Sequence, residues 1–417
     1  MRRRISVVLL LFLLGLPSYT GSEETASKQS NLSHRDKLDI SAVTLLLDVL
    51  DLLVRKNSDY RTTLADLSKT PPGSAESELQ RLANKNMEDP EIKGAIQKLQ
   101  DSPTYQLYYR KFRNVTPETH CQVLCALPYK AIRSPGDIAS SLRELCLNRD
   151  SVRTWVAHVI SRIDLEKSHQ IALQWLPPGE YTSPVTHFFY DGNGDAFALD
   201  DEVGFDLYGT IFGRCPPETR FANLGEVGIE RIEMILAHEL YHVHGARYLY
   251  PPGRAYASWR DQWKDRLIRQ FVNEGVAMQC DVRPSFRRTL MEDSTIVRYW
   301  IGQLNEKLAA LRTDSITEPQ MQAWFDSSFQ ETPQRLMEEY RKRVSPTADS
   351  AAFMEQNQVN RPMMIYTLGW WMMGRVSQTG KKRESVIRSL GKPYELVGVY
   401  NETLAGMNNA FRVIVTE

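Results

Sequence analysis

Apolar positions recur at three- and four-residue spacings over most of the chain, the period of a helix with one buried face. The leucines and valines between Leu38 and Leu53 follow it, and similar patterning from Asp36 to about Ile163 predicts helices almost throughout. The pattern then changes. His169 to Leu176, Val185 to Tyr190, Asp195 to Leu199 and Gly204 to Tyr208 are short, rich in aromatic and β-branched residues, and predict strands. Helical spacing returns at Arg231 to Val243, apolar at Ile232, Ile235, Leu236, Leu240 and Val243, and again at Ala257 to Asp281, where Trp259, Trp263, Leu267, Phe271 and Val276 fall in step. Ser294 to Leu311, Glu331 to Val344 and Pro362 to Val376 continue it. The order predicts an α+β, mainly α, chain with a small sheet ahead of the helix at 231–243. No internal repeat, low-complexity run or heptad seam interrupts it.

That helix carries the chemistry. His238 and His242 lie four residues apart, so on a helix their imidazoles project from one face and reach a single metal ion, with Glu239 beside it as a proton acceptor. A catalytic zinc takes three protein ligands and keeps one position open. In the metzincin pattern a third histidine follows a glycine; here Gly245 is present but Tyr248 stands at the ligand position. Glu274, on the helix predicted for Ala257 to Asp281, is the remaining candidate, and the turn at Pro251, Pro252 and Gly253 lets that helix fold back beside the first.

His238-Glu239-Leu240-Tyr241-His242 followed by Asn273-Glu274-Gly275-Val276-Ala277 resembles the gluzincin metallopeptidases, a clan that includes thermolysin-like proteases and aminopeptidase-N-like enzymes. The resemblance implies a zincin fold, zinc held by His238, His242 and Glu274, and Glu239 as general base. It covers two short motifs and leaves most of the chain outside it. Two departures limit it. Thirty-one residues separate His242 from Glu274, more than in those two groups, and Met278 stands where thermolysin-like enzymes place an aspartate that orients the first histidine; Asp281 is a poor substitute. The Gly-rich loop by which the aminopeptidases recognise a free N-terminus is absent from Cys215 to Ile229, which tilts the expectation towards an endopeptidase or an unusual specificity.

The reaction implied is metal-assisted hydrolysis of a peptide or protein substrate, with Glu239 taking a proton from the attacking water and passing it to the leaving amine. The developing oxyanion calls for another donor. Tyr366 is the first candidate because it opens an apolar helix in which Gly369 permits close approach of another helix; His244, Tyr248 and His187 are the runners-up.

A second constellation, Asp191, Asn193, Asp195 and Glu202, matches the acidic positions of a calcium loop, but Ala196 stands where that loop needs glycine and the flanks are strand-like. A hairpin turn on Asn193 and Gly194 accounts for the same residues. Cys121 and Cys125 beside His120 lack a second pair, so a structural role on a helix is the default. With Cys146, Cys215 and Cys280 the count is five, which leaves at least one thiol unpaired.

Arg2, Arg3 and Arg4, the apolar run Ile5 to Leu16, and Pro17 before Ser18 and Thr20 have the layout of a secretory signal peptide, too short for a membrane span. The expected product is exported, periplasmic or secreted, with no stable membrane span. The organisation expected is a signal peptide at 1–20, a helical region at 21–165 and a zincin-like domain at 166–417. The formal charge is zero, and without the three leader arginines 48 basic residues face 51 acidic ones, so nothing indicates a nucleic-acid partner. The sequons at Asn31, Asn114 and Asn401 matter only in a glycosylating cell. The alternative to an enzyme is a secreted binding or scaffold protein with a structural or inactive zinc site. Glu239 speaks against it, because a structural zinc needs no carboxylate beside its histidines.

Overall fold

The computed structural model describes residues 37–57, 81, 83–113, 115–126, 142, 145–146, 148–191, 196–207, 226–251, 253–280, 294–330, 364–378, 382–407 and 409–415. They are mainly helical, with one four-stranded sheet. The chain packs as two compact units, one within 29–166 and 183–236, the other within 167–182 and 237–417.

The first unit is built on α1 (Ser41–Lys56), which buries Val43, Leu46, Leu47, Leu50 and Leu53. It packs against α2 (Pro90–Gln100), α3 (Pro103–Lys111) and α5 (Arg149–Ile160). Helices α2 and α3 each begin with proline at the first helical position behind a capping side chain, Asp89 and Ser102 respectively. Asp51 pairs with Arg149 and, at 2.9 Å, with Arg153, tying α1 to α5. Between α3 and α5 lies α4 (Pro117–Ala126), where Tyr109 Oη meets His120 Nδ1 at 2.7 Å.

The strands are β1 (Leu38–Asp39), β2 (Val185–Phe189), β3 (Ala196–Leu199) and β4 (Glu202–Asp206), in the order β1-β2-β4-β3. β1 and β4 run parallel to β2, and β3 runs antiparallel to β4 with Leu199 opposite Glu202. Three expectations change here. Helix α1 starts only at Ser41, because Leu38 and Asp39 pair with Thr186 and His187. Asn193 and Gly194 lie outside the described residues, and the strands on either side of them, β2 and β3, are not neighbours in the sheet, because β4 lies between them. The tight turn is at Asp200 and Asp201, where Asp200 takes φ 52°, a conformation aspartate tolerates better than most side chains. The segment His169 to Leu176 is not a strand: α6 (Leu165–Leu173) occupies most of it and buries Leu165, Ser168, His169 and Ala172. Its Ile171, Leu173 and Trp175 alternate in sequence, but helical spacing governs what is buried.

His187 joins the sheet electrostatically. Its Nδ1 donates to Asp39 Oδ2 at 2.9 Å and its Nε2 to Glu202 Oε1 at 3.0 Å. Thr104 donates to the same Asp39 oxygen at 2.9 Å, and Arg110 to Glu202 at 2.6 Å. Glu202 is thus committed to this network. Burial alone would lower the His187 pKa, but the hydrogen bonds to Asp39 and Glu202 push it up to about 9. Burial would likewise raise Asp39, yet its bonds from His187 and Ser41 hold it well below the usual carboxylate range.

The second unit centres on α11 (Met364–Gln378), which packs against α8 (Trp259–Cys280), α9 (Ser294–Arg312), α10 (Glu318–Gln330), α12 (Lys382–Arg388) and α13 (Pro393–Glu402). The segment after α13 is held at 2.8 Å by Asn305, which donates to Arg412 O and accepts from Ile414 N. Helix α7 (Glu226–Leu249) contributes residues to both units. Glu331 to Val344, expected to be helical, lies outside the described residues, as does Cys215; Cys121 and Cys125 are free thiols, and Cys146 and Cys280 are buried. Among the described residues no helix is long and apolar enough to cross a membrane.

The His187 network predicts a pH signature. A histidine whose pKa is raised on folding contributes stability that is complete below about 6.5 and disappears as pH rises through about 9. His187→Gln should cost about 2 kcal/mol at pH 7, and the difference from wild type in urea unfolding should shrink by pH 10. A difference that stays constant over this range contradicts the charged network.

Candidate metal centre

Helix α7 places His238 and His242 one turn apart, held by the buried neighbours Leu236, Ala237, Leu240 and Tyr241. Helix α8 supplies Glu274 from a stretch that buries Phe271, Val272, Gly275 and Val276. The two Nε2 atoms are 3.0 Å apart, and Glu274 Oε2 lies 3.6 Å from that of His238 and 3.4 Å from that of His242. Ligands of a tetrahedral ion with bonds of 2.0 to 2.1 Å stand about 3.3 Å from one another, so the triangle has the size of one zinc coordination face. Among the described residues this is the one group of three such side chains able to hold a metal.

The donor chemistry fits a cation. Glu274 Oε2 is buried without a hydrogen-bond partner, a costly state for a carboxylate unless positive charge meets it. Burial alone would raise the Glu274 pKa, but the imidazoles of His242 and His238 hold it well below the usual range. Burial would lower His242, and the Glu274 carboxylate, reinforced by Glu239, pushes it up to about 9. The enclosure therefore favours positive charge where the three atoms meet. Glu239 is 7 % exposed and lies between the histidines in sequence.

Asn273 is the site residue that motif reading undervalued. Its Oδ1 accepts from His242 Nδ1 at 3.1 Å, which fixes the ring and leaves the Nε2 lone pair for a metal. Its position beside Glu274 was the available signal, since consecutive helical residues diverge by about 100° and a ligand's neighbour can face the adjoining helix. Met278 is buried, in keeping with its apolar character, and Asp281 lies outside the described residues.

Gly275 has a steric role. A Cβ on it would stand 2.4 Å from the Gly369 carbonyl oxygen, and one on Gly369 would stand 2.6 Å from Phe271 O. The backbones of α8 and α11 are in contact there, the close approach that Gly369 suggested. Tyr366 is half-buried one turn before Gly369 on α11. The other oxyanion candidates are engaged elsewhere. His244 meets His169 Nε2 to Nε2 at 3.1 Å, and burial lowers its pKa to about 4. Tyr248 Oη is 2.9 Å from Tyr181 Oη and accepts from Arg247 at 2.9 Å. His187 is bound on both nitrogens in the sheet network.

The glycine contact yields a matched test. Gly275→Ala should destabilise the metal-free protein by about 2–3 kcal/mol, because two backbones must separate. Gly302→Ala in α9, where nothing lies within 4 Å of the added Cβ, should instead gain up to about 1 kcal/mol. Equal effects in urea unfolding would refute the contact.

No curated protein and no solved structure matches the chain. A protein-family model does, over residues 85–409, a span that includes all three ligand candidates and Glu239. That span exceeds half of the chain, and the chain accordingly belongs to the family described as "Putative zinc dependent peptidase (DUF5700)".

Proposed function

We propose that this chain is an exported zinc peptidase of gluzincin type, with His238, His242 and Glu274 as the metal ligands and Glu239 as the general base. The carrying observation is the triangle of donor atoms at 3.0, 3.4 and 3.6 Å, drawn from two helices and sized for one zinc ion. The family description supports zinc and peptide-bond hydrolysis, and the leader-like residues 1–20 support export.

When bound, zinc supplies a Lewis acid that lowers the pKa of water and polarises a carbonyl. The chain's own residues do the rest. Glu239 receives the proton of the attacking water and returns it to the departing amine. Asn273 keeps the His242 ring in one orientation and one tautomer. Tyr366 is our candidate donor to the oxyanion, supported by its place one turn before the contact between α11 and α8.

Metal analysis of the purified chain should find about one zinc per molecule, with His238→Ala and Glu274→Ala each lowering that content. Glu239→Gln should keep the zinc and lose hydrolysis of a proteome-derived peptide library by about 10²- to 10⁴-fold; undiminished cleavage would exclude Glu239 as the base. Tyr366→Phe should lower kcat far more than it raises KM, and an unchanged kcat removes Tyr366 from the mechanism.

A further inference from the structure

Behind the ligands, α7 and α8 are joined by a second, buried polar assembly. Arg269 of α8 is 2 % exposed; its Nε donates to Asp265 Oδ2 at 2.6 Å, one turn earlier on the same helix, and its Nη1 donates to the Leu249 carbonyl at the C-terminal end of α7. Asp265, also 2 % exposed, accepts from Tyr256 Oη at 2.6 Å on the same oxygen, and its Oδ1 lies 3.0 Å from Arg254 Nη2. Both partners from the segment between the helices thus close on one carboxylate. Asp265 Oδ2 carries both hydrogen bonds, while Oδ1 meets Arg254 as an ion pair without a hydrogen bond, and a packed apolar cluster would stabilise at least as well. What an apolar cluster lacks is direction.

Asp265, Arg269 and Asn273 are spaced by four residues and form one stripe along α8. The stripe meets α7 at two points: Arg269 at Leu249 O and Asn273 at His242. Four residues separate the points on α8, about 6 Å, and seven separate them on α7, about 10 Å. The long Arg269 side chain takes up the difference. Arg269 also satisfies a terminal carbonyl of α7, at the end where the helix dipole favours a cation.

We propose that Arg269, held by Asp265, is a positioning residue that sets the register of α8 against α7 and so places Glu274 opposite His238 and His242. The proposal rests on the zinc reading above. With Arg269 removed, Asn273 alone ties the stripe to α7, and Glu274 can slide relative to the histidines.

The test uses the full chain, with zinc affinity measured by chelator competition and cobalt(II) absorption as the report on coordination geometry. Arg269→Met should weaken zinc binding by about 10- to 100-fold and alter the cobalt spectrum. Asn305→Ala, which frees the C-terminal segment from α9, is the control for general loosening and should leave both unchanged. Arg269→Lys keeps a charge beside Asp265 but has no fork to hold Leu249 O as well. It should therefore recover thermal stability while zinc affinity stays below wild type, and it replaces Arg269→Met if that variant does not fold. Wild-type zinc affinity in the arginine variants, full recovery by lysine, or an equal loss in Asn305→Ala each overturns the positioning role. A wild-type chain that takes up no zinc, or His238→Ala binding as tightly as wild type, overturns the metal reading itself and the positioning role with it.

Discussion

Three donor atoms from two helices must meet within a few ångströms although thirty-one residues separate the last histidine from the glutamate. Such a meeting tolerates little error, because a shift of 1 Å between the helices exceeds the variation allowed in a metal–ligand bond. Much of the second unit can be understood as the means of meeting that requirement. The Arg269 and Asn273 contacts set α8 along α7, and the Gly275–Gly369 contact sets it against α11. Each acts through a short polar or steric contact with a defined direction, which apolar packing alone does not provide.

The electrostatics of the two units contrast. Around His187 the carboxylates of Asp39 and Glu202 each accept a bond from one ring nitrogen, and the network is complete within the chain. At His238 and His242 one carboxylate oxygen faces two ring nitrogens and remains without a hydrogen-bond partner. The first arrangement joins strands, whereas the second has the chemistry of a binding site. Both contain buried histidine beside carboxylate, so burial and residue type do not separate the two roles; the completeness of the hydrogen bonding does.

The sequence was most legible where helical spacing and chemistry coincide. His238, His242 and Glu274 follow from a four-residue spacing and a downstream motif, and the structure brings these residues together on the helices expected. Gly369 was readable as a point of close approach, although its partner was not, because a glycine reveals room without showing what fills it. The sheet was less legible. Strand composition located β2, β3 and β4, but neighbours in the sheet are decided by contacts distant in sequence, so the place of β4 between β2 and β3 and the recruitment of Leu38 and Asp39 left no local mark. His169 misled because alternating Ile171 and Leu173 suggest a strand while the buried residues follow a helix. Arg269 gave no signal, since a lone arginine in a charged helix is ordinarily a solvated one.

The triplet Asn273, Glu274 and Gly275 assigns three consecutive positions to three directions: a histidine ring, the metal triangle and the backbone of α11. Helical residues step by about 100°, so inserting or deleting a single residue between Arg269 and Asn273 would turn all three away from their partners together. Substitution can be absorbed one side chain at a time, whereas a change of length there cannot. Across relatives of this chain, variation in length should therefore be excluded from that turn of α8 and gather in segments whose side chains are not tied to the two ligand-bearing helices.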